Sequence, residues 1–150
     1  MKHFLLFTVL CVLLLPGCGG RKAIKTEPVS GIVSFNGQVL DGATVTFSPV
    51  DRTKSNPASG ITDAQGKYVL QTLLGDPDAG TTPGMYKVVI TKSEYYETGQ
   101  TYKDDNTGEI IKEMKPKPLL PKKYSSTETT PLVAEVKEGK NTFDFTVEGK

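Results

Sequence analysis

Few side chains in this sequence could carry covalent chemistry, and they are scattered. Ser125 follows Lys122 and Lys123 closely enough for a Ser–Lys nucleophile, in which a lysine amine would take the hydroxyl proton. The chain has one histidine, His3, and two cysteines, Cys11 and Cys18, all near its start. Asp76 and Asp78 form a D-x-D pair in a glycine-rich stretch, and Asp104, Asp105 and Asn106 form a second oxygen-rich cluster. Calcium takes about six to eight oxygens, and neither cluster has the spacing of an EF-hand loop. Both are therefore weak metal candidates, and solvated turns are the plainer expectation. Tyr95, Tyr96 and Tyr102 could stack on a sugar ring or enter a protein interface, since each offers an apolar face and a polar tip. The plainer expectation is that two of the three pack beneath their own loop. An isopeptide between Asn141 and a lysine of the first strand is not open to this chain, because residues 29–35 contain no lysine. Asn141 is instead expected to stabilise a turn.

The start of the chain supplies an address. A charged opening (Met1, Lys2, His3) precedes an apolar run over residues 4–15, and the small Gly17 precedes Cys18. This is the layout of a secretory signal. The run is shorter than the ~20 residues a spanning helix needs. The placement of Cys18 resembles the lipobox of bacterial lipoproteins, although Pro16 stands where that family more often has Ala, Ser or Thr. The resemblance implies cleavage before Cys18 and a diacylglycerol and amide-linked chain on that residue. Stable anchoring takes two such signals. Residues 1–17 would be the signal peptide, and Cys11, His3 and Lys2 would leave with it. The remaining chain would have no histidine, no tryptophan and no cysteine free for a disulfide or metal. Its 17 basic residues would balance 17 acidic ones, without the excess expected of a nucleic-acid binder.

Residues 18–28 have no strand or helix periodicity and read as a lipidated cysteine on a flexible tether. Ten extended residues reach at most about 33–36 Å. Arg21, Lys22 and Lys25 could rest on anionic headgroups. From residue 29 the pattern has period two. Val29, Gly31, Val33 and Phe35 share one face, and Asn36-Gly37 marks a two-residue hairpin whose central residues need positive φ. Ala43, Val45 and Phe47 form the next inward set. Short strands follow at residues 59–62 and at Tyr68 with Leu70. Residues 73–84 read as a long loop. Residues 85–91 put Tyr86, Val88 and Ile90 inward. Residues 132–137 align Leu132, Ala134 and Val136, and residues 142–147 align Phe143, Phe145 and Val147. Residues 94–124 break the rhythm and read as one long loop, with Ile110-Ile111 marking a small hairpin inside it. Leu119-Leu120-Pro121 and Tyr124 are expected to pack back on the core. About seven short strands over ~120 residues predict an all-β fold, a single antiparallel β-sandwich.

Several motifs in this stretch resemble carboxypeptidase regulatory-like domains, which share a transthyretin-like sandwich. The opening VSGIV and the segment NGQVLDGATVTF match V-x-G-x-V and G-x-P-L-x-G-A-x-V, with Val39 in place of the usual Pro. GITDAQGKY matches T-D-x-x-G-x-[FY], and PGMYKV matches P-G-x-Y-x-V. With Leu120-Pro121, Tyr124 and the closing NTFDF, residues 29–148 resemble small bacterial lipoproteins built on this one domain. The resemblance implies a fold and not an activity.

The expectation is a non-enzymatic protein with no cofactor, anchored in a membrane through Cys18 and facing the periplasm or exterior. The missing histidine and free cysteine remove the commonest general base and one nucleophile. Its role would be that of a binding or structural module of the cell envelope, with the long loop contacting envelope proteins or glycans. The competing reading is a carbohydrate-binding module using Tyr95 and Tyr96. A hydrolase centred on Ser125 is the weakest.

Overall fold

The computed structural model describes residues 25–72 and 80–149. The expected signal peptide over residues 1–17, Cys18, Asp76 and Asp78 lie outside the described residues. The domain is all-β, with two five-stranded sheets and a separate two-stranded ribbon.

The first sheet is built around β1 (Val29–Phe35). On one flank β1 pairs antiparallel with β5 (Lys67–Val69) and then with β2 (Gln38–Val39). On the other flank it pairs with β11 (Asn141–Thr142) and then β12 (Phe145–Val147). The turn from β1 to β2 is made by Asn36 and Gly37 at φ of 50° and 82°, the positive pair that a type I′ hairpin requires. Pairing with β11 and β12 is parallel, so the sandwich is not purely antiparallel. The single run expected over residues 142–147 is also broken in two. Both departures meet at Phe143 and Asp144. There the Ile32 N–H donates to Asp144 Oδ1 (2.8 Å) and the Phe143 N–H to the Ser30 carbonyl (2.9 Å). The side chain of Asp144 thus fills the gap between the two short strands, and the register is the same on either side of it.

The second sheet has the order β10-β7-β3-β4-β6. These strands are β3 (Thr44–Pro49), β4 (Ala58–Ile61), β6 (Gln71–Thr72), β7 (Gly84–Thr91) and β10 (Val133–Val136). Every pair in it is antiparallel. The alternation legible in the sequence is the alternation of burial: Val45 and Phe47 on β3, and Tyr86, Val88 and Ile90 on β7, are fully buried.

Phe47 sits at the centre of the core, 5.8–6.4 Å from the ring centroids of Tyr68, Tyr86, Phe143 and Phe145. Burying one such side chain stabilises by about 1.5–3 kcal/mol. The two buried tyrosines must also satisfy their hydroxyls. Tyr86 donates to the Thr82 carbonyl (2.7 Å) and lies 3.0 Å from both the Thr81 and Thr82 hydroxyls. Tyr68 reaches from β5 across Gly31 of β1 and donates to the Phe143 carbonyl (2.8 Å). A Cβ on Gly31 would overlap that same carbonyl and crowd the Tyr68 ring. Burial, and secondarily the charge of Asp144, raises the Tyr68 pKa, so its hydroxyl remains a neutral donor.

The domain begins two residues earlier than the tether expected over residues 18–28 allowed. The Glu27 N–H donates to the Thr81 carbonyl (2.8 Å), and the Thr81 N–H donates back (3.1 Å). The Glu27 side chain is buried, and its Oε2 accepts the Gly139 N–H (2.8 Å). Its Oε1 accepts no hydrogen bond among the described residues but lies 3.2 Å from the Lys25 ammonium. Lys25 also pairs with Glu138 (3.3 Å), so it is engaged with the domain itself. Asn141 closes the same corner, donating to the Lys137 and Gly139 carbonyls and accepting the Lys137 N–H.

Two outcomes are expected. Gly31→Ala should cost about 2–3 kcal/mol in urea unfolding, because the new methyl displaces either the Phe143 carbonyl or the Tyr68 ring. The second concerns pH. The Gly139 amide, and then Lys25, hold the Glu27 carboxyl below its ordinary value of 4.5. A lowered folded pKa contributes stability that is present above the unfolded value and is lost as pH falls through the folded one. The stability difference between wild type and Glu27→Gln should therefore be largest at neutral pH and shrink below pH 4.5.

Candidate functional site

Residues 94–124 are not a long loop. They form a ribbon of β8 (Ser93–Lys103) and β9 (Ile110–Pro118), followed by a 3-10 turn at Lys122–Tyr124. The sequence hid this because a ribbon exposed on both faces needs no alternation of apolar and polar residues. The tip turn is made by Asp104, whose Oδ1 accepts the N–H groups of Asn106 and Thr107 (both 2.8 Å). Those two bonds hold its carboxyl below the usual range. Asp104 is thus committed to the turn, and Asp105 beside it is exposed. Among the described residues no three acidic, histidine or cysteine side chains are grouped to hold a metal ion.

The ribbon's faces follow from its register. Tyr95 is opposite Pro116 and Glu97 opposite Met114, while Tyr96 is opposite Lys115 and Tyr102 opposite Ile111. Cross-strand partners share a face. A shift of register between Glu97 and Thr101 separates the basal and distal halves. Tyr96 and Tyr102 therefore lie on one face with Ile111, and Tyr95 lies on the other with Met114. The expectation that two of the tyrosines pack under the loop is overturned. Tyr95, Tyr96 and Tyr102 are 66%, 50% and 56% exposed, because no layer of the sandwich covers either face. Polar contacts stiffen the ribbon instead. Lys112 meets both Glu97 carboxylate oxygens at 3.0 Å, and Thr98 donates to the Glu113 carboxylate (2.5 Å).

The ribbon is held at its base. The Leu119 N–H donates to the Lys92 carbonyl (2.9 Å), and Leu120 and Tyr124 bury themselves on the sandwich as their spacing predicted. Ser125 lies here too. Its hydroxyl donates to the Lys122 carbonyl (2.8 Å), while the Lys123 ammonium lies over the Tyr124 ring (4.8 Å). The Ser125 hydroxyl is thus engaged with backbone rather than with a lysine amine. A cavity of about 340 Å³, at the small end for a ligand site, is lined there by Ile90, Lys92, Pro118, Leu120, Lys122 and Ser125.

The ribbon and the incoming chain occupy opposite poles of the sandwich. β7 begins at Gly84, beside Val136 and close in sequence to the Thr81 that pairs with Glu27. It ends at Thr91, beside Thr44, and β8 starts two residues later. At ~3.3 Å per residue, β7 separates the two poles by about 25 Å. Sequence reasoning found neither this polarity nor Glu27. A lone Glu beside Pro28 carries no local signal of burial.

No family model matches this chain, and no curated protein matches it. Among solved structures it is similar to a DUF3823 family protein from Parabacteroides merdae, at a TM-score of 0.37 and 14% identity. The match covers 81% of this chain and 45% of that one, so the chain spans less than half of that structure. A likeness this loose bears on neither family nor function.

Alanine at Tyr95, Tyr96 or Tyr102 should change unfolding free energy by no more than about 0.5 kcal/mol, as for other exposed positions. Tyr86→Phe, which strips a buried hydroxyl from its partners, should cost about 1–2 kcal/mol. Urea melts of the four variants check the contrast.

Proposed function

We propose that this chain is a lipid-anchored module of the bacterial cell envelope, built on a carboxypeptidase regulatory-like sandwich, that presents its ribbon to a partner. The observation that carries the reading is the ribbon itself. It projects from the pole opposite the one where the chain enters, and exposes tyrosine on both faces. A lipid on Cys18 would tether the Glu27 pole and turn the ribbon away from the membrane. Tyrosine exposed in this way offers apolar area to a partner at little loss of rotamer entropy. The role is one of binding or support and not of catalysis.

A second reading has one observation in its favour. Tyr96 and Tyr102 share a face of the ribbon, as two stacking platforms for sugars would. Tyr95 would then take no part.

Two experiments test these readings. Cys18→Ser should move the protein from the membrane to the soluble fraction while its melting temperature stays the same; continued membrane association would overturn the anchor. A photo-crosslinking residue at position 96 or 102 should capture an envelope protein in living cells, and one at Lys140, on the other pole, should not. On a glycan array, saturable binding abolished by the Tyr96→Ala, Tyr102→Ala double change would favour the sugar reading instead.

A further inference from the structure

The two edges of the ribbon are not equivalent. The Leu119 N–H donates inward to Lys92, and the Asp104 N–H donates inward to Glu109. With the register, these two bonds settle which backbone groups face outward on each strand. On β9 the outward residues include Pro116 and Pro118, which have no N–H to offer. Lys112, Lys115 and Lys117 occupy the same strand. Proline and lysine together are the usual guards of a sheet edge against strand addition. On β8 the outward residues of the basal half are Ser93, Tyr95 and Glu97, whose N–H and carbonyl groups meet no partner among the described residues. Residues 93–97 contain neither lysine nor proline, lie before the register shift, and are all exposed.

We infer that the β8 edge at residues 93–97 takes an additional strand, supplied by an extended, basic segment of a partner polypeptide. This rests on the reading of the ribbon as the contact surface and names the mode of contact. Backbone hydrogen bonds give such a joint its affinity, and alternate side chains give its specificity. Charge selects the occupant. Glu94 and Glu97 are the only charged residues of the stretch. Glu97 is paired with Lys112 from behind, and Glu94 has no ion-pair partner among the described residues. A second copy of this chain would bring its own Glu94, and a Glu97 already held by Lys112, to the seam and no basic residue from its edge, whereas a segment carrying lysine or arginine would meet the unpaired Glu94 with opposite charge. Five residues span about 16 Å, close to the length of an ordinary strand.

The test is selection of a random nine-residue peptide library, displayed on its own mRNA, against the purified native protein. Enriched peptides should be free of proline in their central residues, alternate in polarity and carry lysine or arginine. With one such peptide bound, hydrogen exchange of the Ser93, Tyr95 and Glu97 amides should slow at least tenfold. Tyr95→Pro removes one outward N–H and no ribbon hydrogen bond, as Pro116 already does directly opposite. It should weaken the peptide at least tenfold while the inward Tyr96 and Lys115 amides stay protected. Glu94→Lys, which breaks no ion pair of the ribbon, should also weaken the peptide, and Ile110→Pro on the β9 edge should have no effect. Peptides that bind without slowing those three amides, or that ignore Tyr95→Pro, would overturn the inference. If such peptides instead needed Tyr96 and Tyr102, the ribbon would remain the contact surface and only the edge would be wrong. No enrichment, or slow exchange of the three amides in a free protein that sediments as a dimer, would also overturn it.

Discussion

The contact on which this sandwich depends is the hydroxyl of Tyr68 donating to the Phe143 carbonyl across Gly31. Three strands meet at that point. Because Gly31 has no side chain, the Tyr68 ring can cross β1, and the Phe143 carbonyl can approach it closely. The interruption between β11 and β12 would otherwise leave that part-buried carbonyl without a strand partner. A single tyrosine thus places a ring against Phe47 and Phe145, satisfies the broken strand, and ties the two flanks of β1 together. The raised pKa of its hydroxyl is a consequence of the same burial.

Other polar groups do comparable work at the corners. Thr62 accepts the Ala43 N–H (2.8 Å) and donates to the Leu40 carbonyl (2.5 Å), joining the turn before β3 to the end of β4. Thr130 donates to the Val88 carbonyl (2.6 Å) just before β10. Glu27 and Asn141 knit the incoming chain to the Gly139 turn. Short strands leave many backbone groups without ladder partners, and buried ones must be paired. Threonine, asparagine and acidic side chains supply those partners here. This is why so many of the buried polar residues sit beside strand ends rather than in the middle of strands.

The ribbon obeys a different rule. The sandwich buries Phe47, Tyr86 and Val88 on one side of each strand, whereas β8 and β9 bury neither side. A two-stranded ribbon of this kind is marginal by itself. It stands because its base is clamped by Leu120 and Tyr124, and its length is braced by the Glu97–Lys112 and Thr98–Glu113 contacts. Its surface is accordingly free for recognition, which is where the proposed role places it. The fold alone carries no such role.

The sequence by itself determined the inward face of nearly every sandwich strand. A period of two admits a single choice of buried side once one face must be dry. It also determined the Asn36-Gly37 turn, the role of Asn141 and the return of Leu120 and Tyr124, each a local demand of backbone angle, hydrogen bonding or apolar area. Tertiary structure alone decided the parallel placement of β11 and β12 against β1, since pairing between segments over 100 residues apart leaves no trace in either segment. It alone decided that residues 93–118 form a ribbon, because exposure on both faces erases the periodic signal. It alone split Tyr95 from Tyr96 and Tyr102, and set the ribbon at the pole opposite Glu27. The candidate residues could be named from the chain, but their faces depended on a register that only the folded ribbon possesses.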